Sequence, residues 1–211
     1  MRFSRGVTQE RSRRRRERIL DAAFHVFSRL GYGRAAVDEI AREAETSKGG
    51  LYFHFPTKES LFLELLRTTA DRLVAKVERE TARESDPIAR ADVALWTVLS
   101  TFAGHRTTAR LLLVDAAGAG PVFQAELGRL HERFVGLIAG HLDRAMEDGI
   151  IAPLDTAIVA EAWFGALHEI VVRWLMADRP EALERAYPTL RAVLLRGVGI
   201  DESRIAVLPE R

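Results

Sequence analysis

The chain has 211 residues, of which 47% are hydrophobic, so it is long enough for one compact domain or two small ones. It contains no cysteine, which excludes disulfides, thiolate catalysis and cysteine-ligated zinc. The net charge of +1 hides an asymmetry: residues 1–60 carry 13 lysines and arginines against 8 acidic residues, and residues 61–211 carry 18 against 22. We therefore expect a small basic module followed by a larger, mildly acidic one.

Neither a secretory signal nor a membrane span is predicted. The N-terminus is polar and arginine-rich, and it lacks the apolar core of a signal peptide. The longest apolar candidate, residues 157–176, is interrupted by Glu161, His168, Glu169 and Arg173. We expect a cytoplasmic protein without a membrane partner.

The first third of the chain has the apolar spacing of four helices. A first helix is predicted to end at Gly31, where a left-handed cap is easily formed. A short second helix covers 37–44, and Ser47 is a good N-cap for a third helix that Pro56 terminates. Thr57 can then cap a long fourth helix. The apolar stripe of the first helix consists of Ile19, Leu20, Ala23, Phe24, Phe27 and Leu30.

The rest of the chain also has helical periodicity, and no segment alternates with a period of two. The fold class is therefore all-α. The two tails, roughly 1–10 and 201–211, are expected to be poorly ordered. Glycine and proline clusters separate helices predicted near 87–103, 106–117, 122–148, 155–177 and 181–197.

Residues 34–55 have the properties of a DNA-binding helix-turn-helix. Two short helices joined by a tight turn can present the second helix to a major groove. The first turn of that helix contains Gly49 and Gly50, which cost helix stability and so predict close approach of the backbone to another surface. Tyr52, His54 and Lys58 carry groups suited to phosphate oxygens. Leu51 and Phe55 are expected to face inward.

An arginine run precedes the first helix, at positions 11, 13, 14, 15, 16 and 18. Most charge runs are simply solvated helix faces. Next to a helix-turn-helix, however, the run can reach the DNA backbone or the adjacent minor groove. We predict that Arg14 and Arg15 neutralise phosphates.

At this point the chain resembles the TetR family of bacterial transcriptional regulators, over about Arg13 to Leu66. The matching segments are RILDAAF from Arg18, FSRLGY from Phe27, VDEIA from Val37, and SKGGLYFHFPTKESL from Ser47. The resemblance implies a nine-helix fold, in which helices 1–3 bind DNA and the others bind ligand and form the dimer. The expected DNA-binding domain is 13–73, with its helix-turn-helix motif at 35–54, and the ligand-binding and dimerisation domain is 74–200. The predicted DNA-binding residues are Arg14, Arg15, Thr46, Ser47, Lys48, Gly49, Gly50, Tyr52, His54 and Lys58.

Two positions depart from the family pattern. Ala36 stands where the family usually has threonine, so the second helix lacks its N-cap, although Glu39 keeps the partner position of a capping box. Glu45 stands where the turn usually contains glycine, and it places a negative charge near the DNA face. Both departures put individual DNA contacts in doubt without affecting the resemblance.

The larger module contains no recognisable catalytic or metal-binding constellation. Its histidines form neither an H-E-x-x-H motif nor a Glu-x-x-His pair. We therefore expect no enzymatic activity, no metal and no cofactor. Its aromatic residues are mostly core by default, but the resemblance raises the alternative that some line an effector cavity. The candidates for such a cavity are Trp96, Phe102, His105, Phe123, Phe134, His141, Trp163, Phe164 and His168.

The last two predicted helices are too apolar to pack against one surface only. Pairing them across a two-fold axis gives a homodimer and implies a pseudo-palindromic operator in double-stranded DNA. The resemblance implies a ligand-responsive repressor, released by a small apolar, acyl or aromatic effector. The alternative is a DNA-binding regulator whose larger module docks a protein partner. A helical enzyme fused to a DNA-binding head is disfavoured by the missing chemistry.

Overall fold

The computed structural model describes residues 3–209, with side chains from residue 9 onward. Within that range ten α-helices and no strand are found. The helices are α1 Phe3–Arg34, α2 Val37–Glu43, α3 Lys48–His54, α4 Lys58–Thr81, α5 Pro87–Gly104, α6 Arg106–Arg110, α7 Pro121–Glu147, α8 Thr156–Met176, α9 Tyr187–Gly197 and α10 Glu202–Ala206. The all-α prediction is confirmed. The ends of the two tails, residues 1, 2, 210 and 211, lie outside the described residues.

Several helix boundaries differ from the prediction for identifiable reasons. Gly31 does leave the helical conformation, with φ 74°, but helical turns resume after it as far as Arg34. The predicted helix 106–117 divides into α6 and a π-helical turn, Leu111–Asp115. The predicted helix 181–197 begins instead as a 3₁₀ turn, Leu183–Ala186, before α9.

The C-terminal tail is more ordered than expected. It forms α10, a helix that the nine-helix resemblance did not include, and Ile205 on this helix is only 3% exposed. Ile205 belongs to an apolar cluster with Ile88, Ile151 and Ile200. Burial of that one side chain therefore gives the tail a reason to fold.

Backbone contacts divide the described residues into two compact units. The first unit contains the residues up to Thr69 together with Leu111–Glu126. The second contains Ala70–Arg110 and the residues from Leu127 onward. The chain thus leaves the first unit within α4, re-enters it at Leu111 and leaves it again within α7.

The core of the first unit is built on α1, α4 and the start of α7. Phe27, Phe62 and Leu66 are fully buried, and Phe123 is 2% exposed. The rings of Phe62 and Phe123 meet edge to face at 5.1 Å between centroids, and Tyr32 approaches Phe123 at 4.8 Å. This aromatic cluster stabilises the first unit by more than the burial of its apolar area, because edge-to-face ring pairs also attract each other.

The second unit has its own apolar core and an internal polar network. Tyr187, 2% exposed, donates a 2.5 Å hydrogen bond from its hydroxyl to Asp92, which is 1% exposed. Burial and the Asp92 carboxylate raise the pKa of Tyr187 to about 12, so its proton stays in place.

Along the described part of the chain, no helix is both long and apolar enough to cross a lipid bilayer.

Candidate DNA-binding surface

Helix α3 is anchored by its apolar side and leaves its other side exposed. Leu51 is fully buried and Phe55 is 3% exposed, as predicted. Ser47 forms the expected N-cap, because its Oγ accepts a 3.0 Å hydrogen bond from the backbone N–H of Gly50. The Ser47 hydroxyl proton remains free to donate to a ligand acceptor. The exposed side of the helix carries Lys48, Gly49, Tyr52 and Phe53.

The two glycines of α3 are present for different reasons. A Cβ atom built on Gly50 would lie 2.6 Å from Thr46 Oγ1 and 3.3 Å from Ser47 Oγ, so a side chain there would force the Thr46 hydroxyl to move. A Cβ on Gly49 would have no neighbour within 4 Å. Internal contacts therefore give a reason for Gly50, while the interpretation that a surface approaches the backbone stays a prediction for Gly49.

Lys48, the first residue of α3, forms an ion pair with Asp38 of α2. Its Nζ lies 3.0 Å from Oδ1 and donates to Oδ2 at 3.1 Å. Hydrogen bonding to that carboxylate raises the pKa of Lys48. Both side chains are more than half exposed. The pair therefore joins the two helices of the motif at a solvent-exposed place.

The two departures at Ala36 and Glu45 have visible structural consequences. Ala36 occupies the N-cap position of α2 and supplies no side-chain hydrogen bond. Among the described residues Glu39 makes no hydrogen bond to the Ala36 N–H, and its carboxylate instead accepts a 2.6 Å hydrogen bond from Arg29. Glu45 adopts a left-handed backbone with φ 51°, which glycine would tolerate without strain. The turn keeps the conformation that glycine favours despite the side chain.

The end of α3 exposes an aromatic residue that the sequence analysis missed. Phe53 is 80% exposed, and Tyr52, which was predicted, is 38% exposed. The Phe53 ring contacts His54 edge to face at 5.2 Å. Helical spacing could have found it, because position 53 lies on the side opposite the buried Leu51 and Phe55.

His54 lies beside the arginines of α1. Partial burial, followed by the charges of Arg15 and Arg16, lowers the pKa of His54 below its ordinary value. The structure thus brings together α3 and the arginine run, which are 30 or more residues apart in the sequence.

Lys58 has a structural role that the sequence did not reveal. Its Nζ donates to the carbonyl oxygens of Tyr32 at 2.9 Å and Ala35 at 3.2 Å, with a longer contact to Gly33. The ammonium also lies 4.5 Å from the centre of the Tyr32 ring. Lys58 therefore satisfies the carbonyl groups at the end of α1, and a phosphate would compete with them.

The arginine run was expected to precede the first helix but lies within α1, and its members divide into occupied and available groups. Arg14 donates to Glu10 at 2.9 Å, and Arg16 is held by Glu64 and the face of Phe55. Arg15 is exposed, and its side chain has no ion-pair partner among the residues that the structure describes. Of the two arginines predicted to meet phosphates, Arg15 is thus the one already available.

The candidate ligand residues of the second unit are only partly brought together. Phe134 and Phe164 lie 6.4 Å apart, and His168 stacks on Phe164 at 5.8 Å. His131, which was not among the predicted residues, meets Phe164 at 4.4 Å and hydrogen-bonds with Glu161 at 2.8 Å. These residues form an aromatic and imidazole cluster on α7 and α8, all half-buried except for the exposed Glu161.

The other predicted ligand residues have separate surroundings. Trp96 packs edge to face on Tyr187, and Trp163 packs against the apolar cluster around Ile88. His141 accepts a hydrogen bond from Arg144, and burial lowers its pKa. Phe102 lies in the last turn of α5, and the exposed His105 is the C-cap of that helix. Phe123 is a core residue of the first unit, so its surroundings differ from those of the others.

Comparison with known proteins identifies both parts of the chain. Residues 19–65 match the family described as bacterial regulatory proteins of the tetR family. Residues 101–198 match the family of tetracyclin repressor-like C-terminal domains. The matched residues contain α2, α3 and the aromatic and imidazole cluster.

Individual relatives agree with these matches. The HTH-type transcriptional regulator YhgD of Bacillus subtilis is 23% identical over 185 residues, which cover 87% of this chain and 96% of the relative. The structure of the fatty acid degradation regulator FadR from Bacillus halodurans has a TM-score of 0.78 at 23% identity, over 88% of this chain and 99% of the other. FadR from Bacillus subtilis, in complex with stearoyl-CoA, has a TM-score of 0.78 at 21% identity, over 86% of this chain and 98% of the other. The chain therefore belongs to the TetR family of bacterial transcriptional regulators, which bind DNA through a helix-turn-helix motif.

Proposed function

We propose that this chain is a dimeric repressor, not an enzyme, which leaves a pseudo-palindromic operator when a small apolar effector binds. The observation that carries the DNA-binding role is the contrast between the two sides of α3. Leu51 and Phe55 fix the helix to the core, while its other side is open and carries Lys48, Tyr52 and Phe53. Such a helix suits base edges in a major groove. The proposed contacts are Arg14, Arg15, Thr46, Ser47, Lys48, Gly49, Tyr52, Phe53 and His54.

A second copy of the chain is the proposed occupant of the outer faces of α8 and α9. Ile158 and Met176 on α8 are 66% and 60% exposed, and Val193 on α9 is 60% exposed. These are large apolar side chains, which a partner would remove from water. A two-fold dimer places two α3 helices about one turn of duplex apart, roughly 34–36 Å. Family members form dimers, which supports this arrangement.

The proposed effector has an apolar body, with a long acyl chain as the first candidate. The cluster of Phe134, Phe164 and His168 supplies half-buried aromatic surface with a polar edge. The relative FadR binds stearoyl-CoA, which supports an acyl chain as the class to test first. Domain boundaries at 13–73 and 74–200 and a cytoplasmic location remain predictions.

One experiment tests the regulatory proposal. The full-length protein is used to select its binding sequence from random duplex DNA, and binding to that sequence is then titrated with acyl-CoA thioesters of increasing chain length. We expect a palindromic sequence and release that strengthens with chain length, because more apolar surface is buried. A selected sequence without any release would favour the alternative, a protein partner for the second unit.

The dimer is tested by two matched substitutions. Val193→Asp places a charge on the outer face of α9 and is expected to give a monomer in sedimentation. Val207→Asp is the control, because Val207 is 84% exposed but lies at the end of α10. A dimer that persists in Val193→Asp would contradict the proposed interface.

A further inference from the structure

The Asp38–Lys48 ion pair occupies a place where stability does not explain it. The two side chains are 63% and 54% exposed, and exposed pairs of this kind contribute little to folding. The carboxylate also costs DNA affinity, since it lies on a surface that meets phosphates. The first turn of α2 favours a carboxylate, but this does not account for the pairing of Asp38 with the exposed Lys48.

The geometry of the pair presents two complementary groups side by side. The ammonium lies within 3.1 Å of both carboxylate oxygens, so one donor group and one acceptor group project from adjacent helices. Asp38 comes from the first turn of α2, and Lys48 begins α3. Because the two groups are held together, they can meet two neighbouring atoms of a single base pair.

In the major groove a G·C pair offers the matching pattern. Guanine presents N7 and O6 as adjacent acceptors, and the N4 amino group of cytosine is a donor beside them. Lysine donates to guanine N7 and O6, and aspartate accepts from cytosine N4. In addition, the carboxylate repels phosphate oxygens, so it discourages the Lys48 ammonium from leaving the base edge for the backbone.

We infer that Asp38 is a specificity-determining residue, which together with Lys48 reads one G·C pair in each half of the operator. The inference rests on the proposed function, because it concerns how the same surface chooses its sequence. Asp38 acts here through direct contact with cytosine and by positioning Lys48.

The test compares discrimination at each base pair of the selected operator. Wild-type affinity is measured for the operator and for versions in which each pair is exchanged in turn. We expect one G·C pair per half-site at which exchange for A·T weakens binding at least about fivefold. In Asp38→Asn the ratio of the affinity for the G·C operator to the affinity for the A·T version should fall to about twofold or less. In Lys48→Met the same ratio should fall at the same base pair. Thermal unfolding of both variants checks that they fold.

The control is Glu45→Gln, which removes one carboxylate from the same motif. Because this change acts on phosphates of any sequence, we expect tighter binding to all duplexes and an unchanged ratio at every pair. An unchanged ratio in Asp38→Asn would overturn the inference. So would variants of Asp38 and Lys48 that alter different base pairs. If wild type selects no sequence at all, the proposed function fails rather than the role of Asp38.

Discussion

Arg67 of α4 and Glu126 of α7 form a two-pronged ion pair inside the first unit. Nε of Arg67 donates to Oε1 at 2.8 Å and Nη2 donates to Oε2 at 2.7 Å, and the Glu126 side chain is only 5% exposed. The pair also raises the pKa of Arg67. Through it, the start of α7 is fixed to the helix that follows the DNA-binding motif.

Removing the guanidinium should destabilise the protein more than removing both charges. We expect Arg67→Ala to lower the free energy of unfolding by about 2 kcal/mol, because a buried carboxylate loses its cation. The double variant Arg67→Met with Glu126→Leu should cost less, since no charge is then left in the core. Urea unfolding measures both. Arg133→Ala is the matched control, because its pair with Asp71 is exposed on both sides. If Arg67→Ala and Arg133→Ala lower the free energy of unfolding equally, burial of Glu126 does not make its ion pair more important for stability.

Lys58 should contribute to stability more than to DNA affinity. In Lys58→Met the end of α1 loses hydrogen bonds to three carbonyl groups, and we expect a loss of about 2 kcal/mol. Lys76→Met is a suitable control, since Lys76 makes a single hydrogen bond to Thr101 in the second unit. Operator affinity of the folded Lys58 variant should stay within about twofold of wild type. A normal melting temperature with strongly weakened binding would instead support the phosphate contact that the family resemblance implies.

Glu45 combines backbone strain with an unfavourable charge, and two variants separate these effects. Glu45→Gly removes both and should raise stability by about 0.5–1 kcal/mol, because a left-handed residue other than glycine is strained. Glu45→Gln removes only the charge and should leave stability nearly unchanged. Both should bind DNA more tightly and to a similar degree. Thermal melts and fluorescence anisotropy with labelled operator provide the measurements, and equal melting temperatures would argue against strain in the turn.

Arg15 should account for more of the salt dependence of binding than Arg14. Each phosphate contact that is lost lowers the slope of log affinity against log salt by about one. We expect that change for Arg15→Ala and a smaller one for Arg14→Ala, since Arg14 must first leave Glu10. Arg83→Ala removes an equivalent charge in the second unit as the control. Titrations at four salt concentrations decide the matter, and an unchanged slope for Arg15→Ala would refute the contact.

Binding to DNA should be coupled to protonation of His54. Burial and nearby arginines lower the pKa of His54 in the folded protein. The unfolded chain, in which this pKa is near its ordinary value of 6.5, then binds the proton more readily, so stability is lost as pH falls below 6.5. Phosphates near Arg15 and His54 would favour the imidazolium and raise that pKa. Operator affinity should therefore rise severalfold between pH 7.5 and 6.0. His54→Gln should remove this rise and His25→Gln should keep it. An identical pH profile for His54→Gln would exclude the coupling.

The sequence predicted most of the helices because their apolar spacing is regular and their caps are chemically distinct. Ser47 as N-cap and the inward position of Leu51 and Phe55 depend on local rules, and both are confirmed. The left-handed conformation of Gly31 is found as well, although the helix resumes after it instead of ending there. Local rules do not predict the π-helical turn at Leu111–Asp115. That turn lies in the segment that rejoins the first unit, so its conformation depends on tertiary packing.

Contacts made across the fold account for the other differences. Lys58 lies 23–26 residues from the carbonyl groups it satisfies, and Asp38 lies ten residues from Lys48. The spacing of these residues in the sequence does not indicate which residue each of them will contact. The identity of a charged residue can be predicted to matter, but whether it serves DNA or a neighbouring helix depends on the three-dimensional arrangement.

The unequal surroundings of Gly49 and Gly50 have a consequence for how operator recognition can evolve. A side chain at position 50 would have to displace the Thr46 hydroxyl of the same turn, whereas position 49 is open. New side chains can therefore enter the reading surface at 49 without disturbing the fold. A lineage that changes its operator has positions 48, 49 and 53 in which to vary, while a change at position 50 must be accompanied by a shift of Thr46. Variation among paralogues with different operators should follow that division.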